Sequence, residues 1–243
     1  MQTKPIPYDF LTPTNSIARG NVTIEVTDAL RSAIVSLALK PGEVIDKTAI
    51  CDRLGVSRFP VSEALARLQA EGLVEIQPQR GTTVSLVKLA DVKEYMLIRK
   101  AIEAEAVHAL VKMQIPGLIE HLNNSISEQR ATSDIGDGPT FHKQDCEFHE
   151  LLFGAMHFVK IKTIIDGVRA NIDRARMLIS TPRRLATTMG EHEAIVDAIA
   201  ANDADQAASA MRSHIDLVMT EILSFAQQAP HLFADGETYF IDR

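Results

Sequence analysis

From Leu89 to Gln228 the apolar residues of the chain recur at the three- and four-residue spacing of an α-helix, and no strand-like alternation interrupts them. Loop-forming residues divide this stretch into predicted helices near 89–112, 116–131, 138–158, 160–179, 184–201 and 203–228. Helices with one apolar face bury it against one another. We therefore predict a mainly α fold whose larger part, residues 89–228, is an all-α antiparallel helical bundle. Residues 229–243 are either a C-terminal tail or a segment packed on a partner subunit.

The residues before this bundle show a different order of elements. Residues 1–20 contain three prolines and no period, which predicts a mobile arm outside the fold. Within residues 21–88, a first helix over 22–39 precedes two short helices around Gly55, and two β-favouring runs joined through a turn follow. This order is that of a winged helix-turn-helix, whose second helix lies in the DNA major groove.

The second helix of the predicted pair begins with Ser57 and Arg58, and a base-reading helix requires such a polar start. A guanidinium can pair its two parallel N–H groups with guanine O6 and N7, so Arg58 is the candidate base contact. Arg80 at the hairpin tip would reach a phosphate or the minor groove, while Lys47 and Thr48 would start the supporting helix near the DNA backbone. A small helical domain with surface arginines fits the same pattern.

The runs LKPGEVI and LGVSRFPVSEALARLQAEGLVEIQPQRGTTV closely resemble the N-terminal domain of the GntR superfamily of bacterial transcription regulators. The resemblance covers roughly residues 22–86. It implies that Arg58 reads a base, and that Arg67, Arg80 and Gly81 belong to the part of the helix and wing near DNA. It further implies a homodimer on a pseudo-palindromic double-stranded operator.

Two positions depart from that family's usual pattern, SR-T-P-V-R-EAL. Phe59 stands in place of the threonine, and Ser62 in place of the second arginine. A strong base or phosphate contact is therefore missing, although Ser62 can still donate a weaker hydrogen bond. We do not transfer the family's common operator sequence to this chain.

Four polar residues lie inside the apolar faces of the predicted bundle: Asp145 and His149 on one helix, His192 on a second, and His214 on a third. A buried ionised carboxylate costs several kcal/mol unless it is paired or bound to a metal. A single buried histidine is more often a hydrogen-bonded core residue. Three imidazoles and a carboxylate together form a ligand set that suits Zn best, or Ni, Mn or Fe, rather than Ca or Mg.

Arg99 also lies on an apolar helix face, and an inward guanidinium requires an anion. Its partner is either structural, Glu103 or Asp145, or a small carboxylate effector that completes the coordination of the metal. Tyr95, Glu103 and Arg174 are further candidates for this effector site.

Two neighbouring residues receive lesser roles. His142, at the edge of the same stripe, would support a ligand through a hydrogen bond, and Cys146 is interpreted as a small core residue because it points about 100° away from Asp145.

The runs IRKAIEAEAV, DCEFHELLF, EHEAIVDAI and MRSHI resemble the FCD domain, the all-helical ligand-binding domain of FadR-like GntR regulators, over about residues 89–225. The resemblance implies that a divalent metal is held by Asp145, His149, His192 and His214. It also implies that Arg99 contacts the carboxylate of an organic-acid effector. The function implied is a DNA-binding repressor that responds to a small carboxylate metabolite.

Two alternatives remain open from the residues. A metal-dependent hydrolase or isomerase would need a general base, and its candidates Glu103, Glu147 and Glu193 are distant in sequence or off the apolar face. That function also leaves residues 22–86 unexplained, so we do not predict an enzyme. A regulator that binds an acyl-CoA without metal would have no use for the intact ligand set.

The expected location is the bacterial cytoplasm. No stretch approaches the roughly 18 apolar residues of a membrane span, and the first 16 residues contain no hydrophobic signal core. The two cysteines, Cys51 and Cys146, form no CxxC pair, which suits a reducing compartment.

Overall fold

A computed structural model describes residues 8–11, 22–157 and 159–240, without the side chains of residues 162, 163 and 165–170. The chain divides into two compact units: Met1–Val87 with His231–Ala234, and Lys88–Pro230 with Asp235–Arg243. The described elements are mainly helices with one small sheet, which confirms the predicted fold class. Among the described helices, none combines the length and hydropathy needed to cross a membrane.

The first unit is a winged helix-turn-helix. Its elements are α1 (Val22–Val35), β1 (Val44–Ile45), α2 (Lys47–Leu54), α3 (Arg58–Ala70), β2 (Val74–Gln77) and β3 (Gly81–Val84). The Asp46 carboxylate accepts hydrogen bonds from the backbone N–H groups of Thr48 and Ala49 and so fixes the start of α2. Gly55 ends α2 in the left-handed conformation, φ 68°, which gives the tight turn before α3.

Three details of this unit differ from the sequence prediction. β1, which the sequence analysis missed, pairs antiparallel with β3 and makes the wing a three-stranded sheet of order β1-β3-β2. β1 has only two residues, which is too short for an alternation of apolar and polar residues to be visible. α1 ends at Val35 and not at Leu39. Leu39 is buried, but it lies in the turn that follows the helix. Ser57 precedes α3 at the capping position, but its side chain makes no capping hydrogen bond.

The predicted mobile arm lies mostly outside the described residues. Its four described residues pack against the first unit, since Leu11 is buried and Arg53 donates hydrogen bonds to the backbone carbonyls of Tyr8 and Asp9. The Tyr8 hydroxyl accepts a hydrogen bond from the backbone N–H of Asp46 at 2.7 Å. Residues 8–11 therefore belong to the fold, whereas the sequence predicted that they lie outside it.

The second unit is a helical bundle. Its helices are α4 (Leu89–Met113), α5 (Leu118–Ile135), α6 (Gly138–Ala155), α7 (Val159–Leu178), α8 (Pro182–Ala200) and α9 (Ala204–Gln228). Each lies within a few residues of its predicted range. Side-chain oxygens of Asp137, Thr181 and Asp203 accept backbone N–H groups at the starts of α6, α8 and α9, so polar residues between the apolar runs set the helix ends. α4 packs along α9, α9 along α8, and α5 against both α6 and α8.

The described residues after α9 are divided between the two units. In the first, Phe233 is buried and forms a parallel bridge with Val87, whose carbonyl accepts the N–H of Ala234 at 2.7 Å. In the second, the Asp235 carboxylate accepts the N–H groups of Leu89 and its neighbour at 2.7 and 3.0 Å, placing negative charge at the start of α4. These residues therefore pack on their own chain.

Candidate functional site

The four residues predicted to bind a metal come together inside the second unit. α6 supplies Asp145 and His149, α8 supplies His192, and α9 supplies His214. All four are buried, and one potential ligand atom from each lies within 4.8 Å of the others. The centroids of the three imidazole rings are 4.9 to 5.4 Å apart. We call these four residues the central cluster.

Two of the imidazoles are oriented by a hydrogen bond at Nδ1. His214 Nδ1 lies 2.7 Å from Glu191 Oε2, and His192 Nδ1 lies 2.8 Å from Gln129 Oε1. A carboxylate oxygen only accepts, so His214 donates from Nδ1. Gln129 uses its amide nitrogen to donate to the Ser125 hydroxyl at 3.1 Å, which leaves its oxygen to accept from His192. In both rings Nε2 therefore keeps its lone pair.

The third imidazole contacts a buried ion pair. His149 Nδ1 lies 2.8 Å from Glu103 Oε2, away from the axis of the ring N–H, and Arg99 Nε donates to Glu103 Oε1 at 2.5 Å. Burial raises the pKa of Glu103, but the charge of Arg99 and the contact with His149 outweigh it and hold that pKa well below its usual range. Arg99 therefore has Glu103 as a structural partner, one of the two alternatives that the sequence left open.

The same arrangement recurs on α8. Arg184 donates two hydrogen bonds to Glu191, at 2.8 and 2.7 Å, and Glu191 in turn contacts His214. Two of the three imidazoles are thus backed by a carboxylate that an arginine holds in place. Such partners orient a ligating histidine and increase its basicity.

The carboxylate of the central cluster is held by a cation. Arg176 of α7 donates to Asp145 Oδ1 at 2.6 Å. Burial raises the pKa of Asp145, but the charge of Arg176 outweighs it, and the pKa lies well below its usual value. Asp145 is therefore ionised despite being fully buried.

Five buried atoms of the central cluster have no hydrogen-bond partner in the described part of the chain: both ring nitrogens of His149, Nε2 of His192 and His214, and Oδ2 of Asp145. Burial lowers the pKa of His192 well below its usual value and that of His214 to about 4, so both rings are neutral at pH 7. Buried polar atoms without partners are rare and require an explanation. Three imidazole nitrogens and a carboxylate oxygen together suit a divalent cation.

Three supporting residues of the site were not predicted from sequence: Gln129, Arg184 and Glu191. Arg176, for which the sequence left both the pocket and solvent open, contacts Asp145. Gln129 carried a detectable signal, because it continues the buried face that Leu122 and Ile126 form on α5. The same spacing predicted the buried histidines, whereas a buried amide was not predicted. Arg184 and Glu191 are seven residues apart on α8, a spacing that places them on one face.

The remaining predicted effector residues lie on α4 and α7. Tyr95 is half-buried one turn before Arg99. Arg174 is fully buried, and this burial lowers its pKa to about 10. A cavity of about 30 Å³ lies between α6, α7, α8 and α9, and the side chains of Arg176, Arg184 and His142 are part of its wall.

The predicted DNA-contacting residues are exposed on the first unit. α3 turns Val61, Leu65 and Leu68 into the core and leaves its opposite face in solvent. That exposed face and the residue before it carry Ser57, Arg58, Phe59, Ser62 and Arg67. Phe59 is 72% exposed, which is unusual for a large apolar side chain.

The supporting helix and the wing contribute the other predicted DNA contacts. Lys47 and Thr48 form the first turn of α2, with Thr48 exposed, and Arg80 is exposed at the tip of the wing. Gly81 begins β3 at φ +105°, a conformation that favours glycine.

Comparison with known proteins identifies both units. Residues 23–84 match the family described as bacterial regulatory proteins of the gntR family, and residues 94–217 match the FCD domain. An HTH-type transcriptional regulator in an unstable DNA locus of Streptomyces ambofaciens is 31% identical, covering 84% of this chain and 86% of the relative. The HTH-type transcriptional repressor RspR of Escherichia coli is 27% identical over 88% of this chain and 94% of its own.

A solved structure shares the fold. The structure of E. coli McbR/YncC superposes with a TM-score of 0.72 and 19% identity, covering 84% of this chain and 98% of that chain. Together with the matches to both domains, these findings show that the chain belongs to the GntR family of bacterial transcription regulators, with a GntR DNA-binding domain followed by an FCD domain.

Proposed function

We propose that this regulator is a repressor that binds a pseudo-palindromic operator as a homodimer and responds to a small carboxylate bound beside a divalent metal. The observation that carries the sensing half is the convergence of four buried residues, each with a potential ligand atom that has no hydrogen-bond partner among the described residues. The DNA-binding half is supported by the exposed face of α3 with Arg58 at its start. The repressor RspR, a relative over most of its length, supports repression.

The residues of the central cluster fit a metal. Asp145, His149, His192 and His214 would hold it through one oxygen and three Nε2 atoms, a donor set that suits Zn first and also Ni, Mn or Fe. When bound, such an ion acts as a Lewis acid toward the oxygens of an organic anion. The chain itself orients His192 through Gln129 and His214 through Glu191, and Glu103 lies beside His149. All three imidazoles are buried from solvent.

The charges around the central cluster favour an anionic effector. Arg99 is paired with Glu103, and Arg176 with Asp145, so these buried charges balance. A divalent ion would add two positive charges, and uncompensated buried charge is costly. A small monocarboxylate would offset one of these charges, and a dicarboxylate would offset both. Glu103 occupies only two of the five N–H donors of Arg99, which leaves donors for that carboxylate.

The cavity near the site is too small for a metabolite unless side chains move. The cavity beside Arg176 measures about 30 Å³, and a single water needs roughly 10–15 Å³. A metabolite at this position would therefore have to displace side chains of α6 to α9. We propose that this repacking is linked to operator affinity through a coupling of about 1–3 kcal/mol.

Exposed apolar residues of the second unit support a homodimer. Leu97 on α4 is 63% exposed and Leu217 on α9 is 45% exposed, and these two helices pack along each other. They offer apolar surface to a second copy. A two-fold protein would match a pseudo-palindromic operator.

The geometry does not support the alternative that the protein is an enzyme. Of the general bases considered, Glu103 is paired with Arg99, Glu193 contacts Arg130, and Glu147 is an exposed partner of Lys143. A base must lie within reach of the reacting proton, and these three carboxylates are either engaged or in solvent.

A ligand screen tests the proposed function. Metal-loaded protein is heated with hydroxy acids, sugar acids and dicarboxylates, and its Tm is recorded for each. We expect at least one of these anions to raise the Tm, because a ligand that binds the folded state stabilises it. A Tm that rises only with acyl-CoA, and equally in metal-free protein, would contradict the proposal.

Gln129→Leu should weaken Zn²⁺ binding about 10- to 100-fold, the usual effect of removing a partner of a ligating histidine. The variant leaves His192 Nδ1 without its acceptor in a buried site. Competition with a chromophoric chelator measures the affinity. Gln129→Glu is the matched control, because it keeps an acceptor oxygen and should retain tight binding. Equal affinities of wild type and Gln129→Leu would show that this contact does not serve a metal.

A further inference from the structure

A second group of metal-ligating side chains lies beside the central cluster. His142 and Cys146 are one turn apart on α6, and Asp173 comes from α7. His142 Nε2 lies 3.4 Å from Asp173 Oδ1 and 3.7 Å from Cys146 Sγ. One potential ligand atom from each residue lies within 4.8 Å of the others. We call these three residues the Cys146 cluster.

The Cys146 cluster is separate from the central cluster although both use α6. Cys146 follows Asp145 directly, and consecutive residues of a helix point about 100° apart. His142 and Cys146 therefore share one face of α6, while Asp145 and His149 share the neighbouring face. No residue belongs to both clusters, so the two can be tested independently.

The two separations from His142 Nε2 to Cys146 Sγ and to Asp173 Oδ1 match those of a tetrahedral zinc site. With Zn–N at about 2.05 Å and Zn–S at about 2.3 Å, a tetrahedral site has an N···S edge of about 3.6 Å and an N···O edge of about 3.3 Å. The structure has 3.7 and 3.4 Å for these edges. Helical spacing alone explains the first value, whereas the second depends on the packing of α7 against α6.

The surroundings of the Cys146 cluster also suit an ion. The side chains of His142 and Asp173 are 15% and 10% exposed, so the group is shielded but accessible. His142 also borders the cavity of about 30 Å³, which has room for a water molecule. A set of imidazole, thiolate and carboxylate suits zinc.

We propose that His142, Cys146 and Asp173 form a second metal site, which binds Zn²⁺ through a thiolate and leaves one position open. This assignment differs from the sequence interpretation of Cys146 as a core residue and of His142 as a supporting residue. An ion here joins α6 to α7, the helix whose Arg176 holds Asp145. A metal ion bound to the Cys146 cluster is thereby linked to the central cluster through the side chain of Arg176.

Titration with CoCl₂ tests this site, because only a thiolate ligand gives a sulfur-to-cobalt charge-transfer band in the near ultraviolet. The full-length wild type should show the band and bind two equivalents of Co²⁺ per chain. Cys146→Ser and His142→Ala should lose the band and one equivalent. The matched control is Cys51→Ser, which removes the other cysteine, in the first unit, and should keep the band.

His192→Ala separates this proposal from the proposed function. It should keep the thiolate band while losing the equivalent bound by the central cluster. A second measurement needs no variant: Zn²⁺ should slow alkylation of Cys146 by iodoacetamide at least 10-fold, read by peptide mass spectrometry, and leave Cys51 unaffected. Co²⁺ saturation of the wild type without a thiolate band, or a band that persists in Cys146→Ser, would overturn the site. His142 and Asp173 would then be an ordinary ion pair.

Discussion

His192→Ala should abolish binding of Zn²⁺ to the central cluster. In the wild type, free Zn²⁺ at 100 times its Kd should raise the free energy of unfolding by about 2.7 kcal/mol, because the ion binds only the folded arrangement of the ligands. The variant removes an Nε2 atom that has no hydrogen-bond partner among the described residues. It should therefore lose the stabilisation contributed by the central cluster, and a Cys146→Ser background removes any contribution from the Cys146 cluster. Thermal unfolding with and without Zn²⁺, together with metal analysis of the purified protein, measures the effect.

His121→Ala is the matched control for this prediction. His121 is exposed on α5 and is not part of the central cluster, so its loss should leave the Zn²⁺-dependent stabilisation intact. The proposed sensing mechanism fails if His192→Ala is stabilised by Zn²⁺ as much as the wild type. It also fails if the folded wild type takes up no metal at the central cluster.

Arg58→Ala should remove sequence preference at one position of each operator half-site. A bidentate arginine–guanine contact is worth about 1–3 kcal/mol of discrimination, so the preference there should fall by roughly 5- to 150-fold. Arg58 is exposed at the first position of α3, and its removal should leave the fold intact. The operator is first selected from random double-stranded DNA with the wild type. Competition binding at one fixed salt concentration then compares the variants.

Two further variants sharpen this experiment. Arg212→Ala removes an exposed arginine of the second unit and should not change base preference. Phe59→Thr restores the residue usual in the family, and it should alter preference near the base contacted by Arg58, since an exposed phenylalanine offers apolar contact to a thymine methyl group. An unchanged preference in Arg58→Ala would mean that another element reads the operator.

Local chemistry explains why much of the fold was predictable. Helical spacing of apolar residues, polar residues between the runs, and Gly55 between two short helices each act over a few residues. These features predicted all six helices of the bundle and the helix-turn-helix. They failed for β1, which is too short to show a pattern, and for Tyr8 to Leu11, which are held by contacts with residues about 40 positions away.

The residues of the central cluster were also accessible from sequence, because Asp145, His149, His192 and His214 each interrupt an apolar helix face. Such a pattern shows that a polar side chain points inward. It does not show what that side chain meets, since helical spacing fixes direction within one helix and carries no information about the neighbouring helix.

Packing between helices decided the partners. The tertiary structure placed Gln129 of α5 on His192, Arg176 of α7 on Asp145, and Glu191 of α8 on His214 of α9 rather than on its sequence neighbour His192. It also brought Asp173 to His142 and so completed the Cys146 cluster. The sequence by itself determined which faces of the bundle helices are apolar and where the histidines interrupt them. Only the packing of whole helices determined which atoms lie within bonding distance, because that distance depends on the relative position of two helices that no local pattern encodes.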